Sequence, residues 1–240
     1  VHVPEKTKLF RNIVPIGPKE YEPAVLSKRD TRNPGHEMLM TEALKWTEKP
    51  PDLSVEDQNL LLQATQEVAR HTITVLKENN SVIKVLTRRE AINKYRHTDH
   101  SEPVPVNTSA GYPWSILSKD QGKREFISVD PNNGSRVFRK GPLMDQVFEA
   151  INNVKQAALG SAILEEPIFM IHLKDEPLKL KKIYGDKDTN VPRTRTIAAS
   201  PLHVTILHRQ YTHAAVAAMM DCHTELPYAV GMDPVSQDWD

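Results

Sequence analysis

Apolar and polar positions follow a helical rhythm over four stretches of this chain and a strand rhythm over shorter ones. Ser54 is placed to cap a helix, Glu56 and Asp57 fall in its first turn, and Leu61, Val68, Thr72, Val75 and Leu76 recur on one face as far as Asn79. Thr87 with Glu90 three residues on is a capping box, which opens a second, shorter helix through about Tyr95. Val147, Ile151, Val154 and Ala158 make one stripe of a helix from Leu143, with Gly160 placed to end it. Leu202 to Met220 reads as a long helix with Pro201 at its first turn. Between these lie a buried strand at Ile168–Ile171, a second strand over Arg193–Ala198, and a hairpin within residues 119–142 that turns on Asp130-Pro131-Asn132-Asn133-Gly134. Mixed elements with no βαβ rhythm predict an α+β architecture, and no internal repeat is visible.

Composition narrows the function. The 240 residues carry 31 basic and 31 acidic side chains, so no global charge draws the chain to nucleic acid. An apolar share of 39% and a charged share of 26% are ordinary globular usage and allow a packed core. Eighteen prolines against nine glycines mean that the chain turns mostly on proline. Pro4, Pro15, Pro18, Pro23, Pro34, Pro50 and Pro51 forbid a long helix in the first 51 residues and favour extended chain. The glycine-rich phosphate loops of Walker ATPases and Rossmann enzymes are absent, as are the H-E-x-x-H and G-x-S-x-G signatures. A single cysteine, Cys222, permits no internal disulfide and fits a reducing compartment. No apolar run approaches the roughly 20 residues of a membrane span, and Val1 to Lys6 is not a signal peptide. His203, His208 and His213 share one helix, but steps of five residues turn each about 140° from the last, so they do not line up as metal ligands. Cys222-His223 are sequence neighbours, which is not how a nucleophile meets its base.

Two stretches carry candidate chemistry. Lys174 to Arg195 holds Lys174, Lys179, Lys181, Lys182, Lys187, Arg193 and Arg195 against Asp175, Glu176, Asp186 and Asp188, a local net charge of about +3. As a basic loop between two strands it suits phosphate, with the arginines able to bind oxygens in pairs and the lysines acting as point charges. Arg193 and Arg195, two apart on a strand, point the same way. A solvated, salt-bridged loop is the bland alternative. Asn107-Thr108-Ser109-Ala110-Gly111-Tyr112-Pro113-Trp114 gathers hydroxyls, a glycine and two aromatics on a proline-bounded loop, which suits contact with a nucleic-acid backbone. Alternatively Tyr112 and Trp114 only anchor that loop to the core.

Both stretches resemble motifs of one family, in that family's order. Thr108-Ser109-Ala110-Gly111-Tyr112-Pro113 resembles motif G of picornavirus-like RNA-dependent RNA polymerases, where the template comes in. Lys174-Asp175-Glu176, followed by Lys182 and Arg193-Thr194-Arg195-Thr196-Ile197, resembles their motif F, the basic segment lining the nucleotide channel. Lys6-Thr7-Lys8-Leu9 with Glu22-Pro23-Ala24-Val25-Leu26, and Ala229-Val230-Gly231-Met232-Asp233-Pro234 with Trp239, match the same enzymes, with iflaviruses and dicistroviruses nearest in pattern.

The resemblance implies an α+β fingers region of a right-hand polymerase: a proline-rich strap at 1–51, a helical part with the template loop at 52–166, and the motif F strands with the following helix at 167–240. It implies that Lys174, Lys182, Arg193 and Arg195 bind the incoming nucleotide, while Thr108, Ser109, Gly111 and Tyr112 guide template RNA. The palm aspartates that hold Mg²⁺ or Mn²⁺ in the full-length enzyme are expected after the last block, so Asp238 and Asp240 are not that pair. The chain is accordingly expected to hold no metal and to be inactive alone. The implied partners are template and primer RNA, nucleoside triphosphates, and the palm and thumb of the same polyprotein, in host cytoplasm at virus-induced membrane sites. Lys174-Asp175-Glu176-Pro177-Leu178 departs from the common Lys-Asp-Glu-Leu-Arg and leaves Lys179 or Lys181 to substitute for the arginine. A self-contained nucleic-acid-binding module and a small unrelated enzyme remain the other readings.

Overall fold

The computed structural model describes residues 20–44, 47, 49–95, 97–98, 100–119, 122–163, 166–185 and 191–228. The blocks at Lys6–Leu9 and Ala229–Pro234, with Trp239, Asp238 and Asp240, lie outside them, as do Asp186, Lys187 and Asp188. Along the chain the elements are β1 (Tyr21–Pro23), α1 (Met38–Leu44), α2 (Val55–Glu78), α3 (Arg88–Ile92), α4 (Trp114–Leu117), β2 (Ile127–Val129), β3 (Arg136–Phe138), α5 (Pro142–Ala158), β4 (Met170–Leu173), β5 (Pro177–Lys179), α6 (Leu180–Ile183), β6 (Thr196–Ala199) and α7 (Leu202–Asp221). They divide into two compact units, residues 1–51 with 169–199 and residues 52–168 with 200–240.

The smaller unit is built on two antiparallel ribbons. β1 pairs with β5, and β4 pairs with β6 in the register Met170 to Ala199 through Leu173 to Thr196. Its core is Ala24, Val25, Leu26, Met38, Leu178 and Ile183. Arg32 holds the turn before α1 by donating to Asp30, to Glu22 and to the Pro23 carbonyl. The strand expected at Ile168–Ile171 starts later, at Met170, and it is not buried: Ile168, Phe169 and Ile171 are exposed. A run of four apolar residues signals a strand without saying how many of its faces are covered.

The larger unit is organised around α7. Ile206 and Leu202 of that helix enter a core with Ile92, Val104, Trp114, Phe126, Ile127, Met144, Val147 and Ile151. Arg209 donates to the Ala91 carbonyl, an acceptor left open at the end of α3, and to the Glu102 carbonyl in the chain that follows. Gln210 accepts from the Leu86 amide through its backbone and donates to the Leu86 carbonyl through its side chain. The hairpin β2–β3 forms over the predicted turn, and the Thr87–Glu90 capping box is present. α3 stops at Ile92 rather than Tyr95, because Asn93 turns to exchange hydrogen bonds with the Arg136 backbone of β3.

α2 departs from its pattern more instructively. Ser54 caps it through the Asp57 amide, yet Leu61 and Val68 of the predicted core stripe are 59% and 44% exposed. Only Val75 and Leu76 of this helix are buried, against Ala218, Cys222 and Leu226. Periodicity identifies an apolar face; it does not supply the surface that covers it. Two truncations test this contrast by thermal unfolding. Ile206→Ala should remove roughly 2–5 kcal/mol, whereas Leu61→Ala should stay within about 0.5 kcal/mol of the parent. Equal losses at the two positions would contradict the packing described.

Candidate nucleotide and template sites

In the smaller unit, three charged residues meet at the end of the β4–β6 ribbon. The Lys174 amide donates to the Arg195 carbonyl at 2.8 Å, which extends the ladder beyond the strands and sets the two side chains near each other. Arg195 then donates Nε and Nη2 to the two oxygens of Glu176, both at 2.6 Å, and Lys174 Nζ lies 3.0 Å from Oε2. Glu176 is only 13% exposed while Arg195 is 63% exposed, so a sheltered carboxylate anchors cations that face solvent. The Arg195 guanidinium holds the Glu176 carboxyl far below its usual range, at about 2, against a smaller opposing effect of burial and with help from Lys174.

Arg193 and Arg195 are both exposed and Thr194 between them is fully buried, its hydroxyl donating to the Val25 carbonyl at 2.7 Å. The two arginines thus point the same way, as their spacing predicts. However, β6 begins only at Thr196, and Arg193 instead donates its amide to the Lys182 carbonyl at 2.7 Å. That bond ties α6 to the segment before β6 and brings Lys182, exposed on α6, beside Arg193. Lys179 and Lys181 are exposed as well. The four predicted nucleotide-binding cations therefore fall into two pairs in this unit, Lys174 with Arg195 and Lys182 with Arg193.

In the larger unit, the loop 108–112 is seated on the start of α7. The Leu202 amide donates to the buried Ala110 carbonyl at 2.8 Å. Gly111 has φ +70°, and a Cβ there would collide with the Ser200 carbonyl and lie 2.7 Å from Pro201 N. The Tyr112–Pro113 peptide is cis. The two aromatics part company: Trp114 is buried against Phe126 and donates Nε1 to His203 Nδ1 at 2.9 Å, whereas Tyr112 is exposed. Burial lowers the His203 pKa, so its ring is neutral with the proton on Nε2. Ser109 Oγ accepts from the Gly111 amide at 3.1 Å, which leaves its O–H as a donor for an anion. The Thr108 hydroxyl proton is committed to the Pro105 carbonyl at 3.1 Å, and the same oxygen accepts from Lys123 Nζ.

The sequence pattern names Glu176 without giving it a role, and gives no role at all to Lys123 or His203. Glu176 does carry a local signal, because a carboxylate two residues from Lys174 on extended chain shares its side. Lys123 and His203 give no local signal, since their partners lie 15 and 89 residues away. Among the described residues no group of three or more His, Cys, Asp or Glu converges in a way that could hold a metal ion. Among them also, no helix is long and apolar enough to cross a membrane.

The fold agrees with what known proteins share with the chain. The family described as viral RNA-dependent RNA polymerase matches residues 14–240, and the chain belongs to it. Its relatives are stretches of picornavirus-like polyproteins: the RNA1 polyprotein of Tomato torrado virus is 28% identical over 99% of the chain, and the genome polyprotein of Rice tungro spherical virus 29% identical over 98%. The chain spans 11% and 7% of those polyproteins. A solved structure titled Sicinivirus 3Dpol RNA dependent RNA polymerase shares the fold at TM-score 0.60 and 23% identity, over 98% of this chain and 42% of that one.

This geometry predicts the outcome of two measurements. Gly111→Ala should destabilise by roughly 2–4 kcal/mol, from backbone strain and overlap together, which thermal unfolding reads as a drop of about 4–16 °C. The second concerns acid. Because the folded pKa of Glu176 is depressed, its pairing with Arg195 contributes fully above the unfolded carboxyl pKa of about 4.3 and is lost as pH falls toward 2. A side-chain carboxyl titration by NMR should place the midpoint near 2; a midpoint near 4 would show that the pair does not hold.

Proposed function

We propose that this chain forms the fingers part of a longer viral RNA-directed RNA polymerase, with palm and thumb supplied by further chain. In this reading Lys174, Lys182, Arg193 and Arg195 hold the incoming nucleoside triphosphate, and Thr108, Ser109, Gly111 and Tyr112 guide template RNA. The observation that carries it is the Lys174–Glu176–Arg195 cluster. A triphosphate brings several negative charges into the site, and more charge gathers on the leaving pyrophosphate during transfer. Fixed cations offset both without reorganising at the moment of reaction. Two of the five guanidinium N–H donors of Arg195 are used by Glu176, which sets the plane of the group and leaves three for phosphate oxygens. Lys174 sits on the same carboxylate, and Arg193 and Lys182 extend the positive edge.

The template loop suits an enzyme that must copy any sequence. The Ser109 hydroxyl donates to whatever phosphate passes, and the exposed Tyr112 ring offers a base a face without reading its edge. Gly111 lets the loop lie against α7, and Thr108 acts from within it.

Arg195→Ala in the polymerase that contains this chain should raise the apparent KM for nucleotide by about tenfold or more and lower kcat as well. Unchanged single-nucleotide incorporation would remove Arg195 from the site. Primer extension with Mg²⁺ or Mn²⁺, run on a series of progressively longer forms of the protein, tests the division of labour. Extension only by forms longer than these 240 residues supports the fingers reading. Tight RNA binding by the 240 residues alone, with no extension by any length, would favour a self-contained binding module.

A further inference from the structure

Lys123 bears a buried charge that belongs to neither set of candidate ligands. It is only 6% exposed, and among the described residues no carboxylate lies against it. Burial pushes its ammonium down to about 8. Burying an ammonium without a counter-ion opposes folding, whereas a methionine of similar length would fill the same space without that cost. The contacts of the ammonium indicate what it does instead. Nζ donates to the Thr108 hydroxyl at 2.5 Å and to the Thr108 carbonyl at 3.2 Å.

The same turn grips the chain just before Thr108. The Lys123 amide donates to the Val106 carbonyl at 2.8 Å, and a Cβ on Gly122 would lie 2.6 Å from that oxygen and 3.1 Å from the Thr108 carbonyl. Thr108 in turn donates to Pro105. A chain of hydrogen bonds therefore runs from Lys123 through Thr108 to Pro105, immediately upstream of the Ser109 hydroxyl and the Tyr112 ring. Two of the three ammonium donors of Lys123 are spent on Thr108.

We propose that Lys123 is a positioning residue for template RNA: its ammonium braces Thr108 so that Ser109 and Tyr112 are held in place. The proposal rests on the template-guiding reading of the 108–112 loop. It predicts an effect confined to template, because the nucleotide-binding cations belong to the other compact unit.

The test measures two quantities in the polymerase that contains this chain: the Kd of a fluorescent primer–template RNA across a salt series, and the KM for nucleotide in single incorporations. Lys123→Met should raise the template Kd about tenfold and leave the nucleotide KM within about twofold. Lys123→Arg, which keeps donors at the site, should recover part of the loss. The slope of log Kd against log salt should not change. A slope reduced by about 0.7, the value for one single-strand phosphate contact, would mean that Lys123 touches RNA directly and would overturn the brace. Thr108→Val should weaken template binding, and adding it to Lys123→Met should cause no further loss, since both break one link. Should Lys123→Met fail to fold, Thr108→Val and Lys123→Arg carry the same comparison.

A template Kd unchanged in Lys123→Met, with Ser109→Ala still weakening it, overturns this proposal and leaves the template reading standing. If Ser109→Ala and Tyr112→Ala also leave the template Kd unchanged, the template reading falls and the brace falls with it. Equal increases in template Kd and nucleotide KM would show general loosening and would also overturn the brace.

Discussion

The hydrogen bond from the Leu202 amide to the Ala110 carbonyl, 2.8 Å long, fixes where the larger unit begins its principal helix. The first amides of a helix have no partner within it, and here one of them is satisfied by the backbone of a loop rather than by a side-chain cap. A loop carbonyl can reach that position only if the next residue lacks a Cβ, and Gly111 meets that condition. From this point α7 carries Ile206 into the core, Arg209 to the end of α3 and Gln210 to Leu86. The same contact therefore sets both the frame and the seat of the 108–112 loop.

The smaller unit depends on a different balance. Two short ribbons offer little core, and the exposed edge gathers cations that repel one another. Glu176 relieves that repulsion locally by accepting from Arg195 and Lys174 together, while Thr194, buried between two exposed arginines, ties the segment to Val25. The backbone is held from the inside and the charges are presented outside. In the proposed nucleotide-binding role, cations ordered in this way before a phosphate arrives would lose less entropy on binding.

A single charge is handled in opposite ways in the two units. Of the cations proposed to bind nucleotide, Lys182, Arg193 and Arg195 are exposed and Lys174 is half-buried, and the Glu176 carboxylate pairs with Lys174 and Arg195. Lys123 is buried and bonded to neutral oxygens of Thr108 rather than to a carboxylate. The first arrangement suits contact, the second support.

Features that depend on residues close in sequence are legible in the sequence itself. The Ser54 cap, the Thr87–Glu90 box, the turn at Asp130–Gly134, the end of α5 near Gly160 and the alternation of Arg193 and Arg195 all arise from interactions a few residues apart, which local pattern encodes. The family is legible too, because motif order carries it. What pattern alone did not yield was every property that depends on distant chain: the exposure of Leu61, Val68, Phe169 and Ile171, the pairing of β1 with β5, the joining of Lys182 to Arg193, and the brace from Lys123 to Thr108. An apolar stripe records that a face favours burial, and a lysine records that a charge exists. Whether either is covered depends on which remote surface arrives there, and that is set by packing across the whole unit rather than by neighbours along the chain.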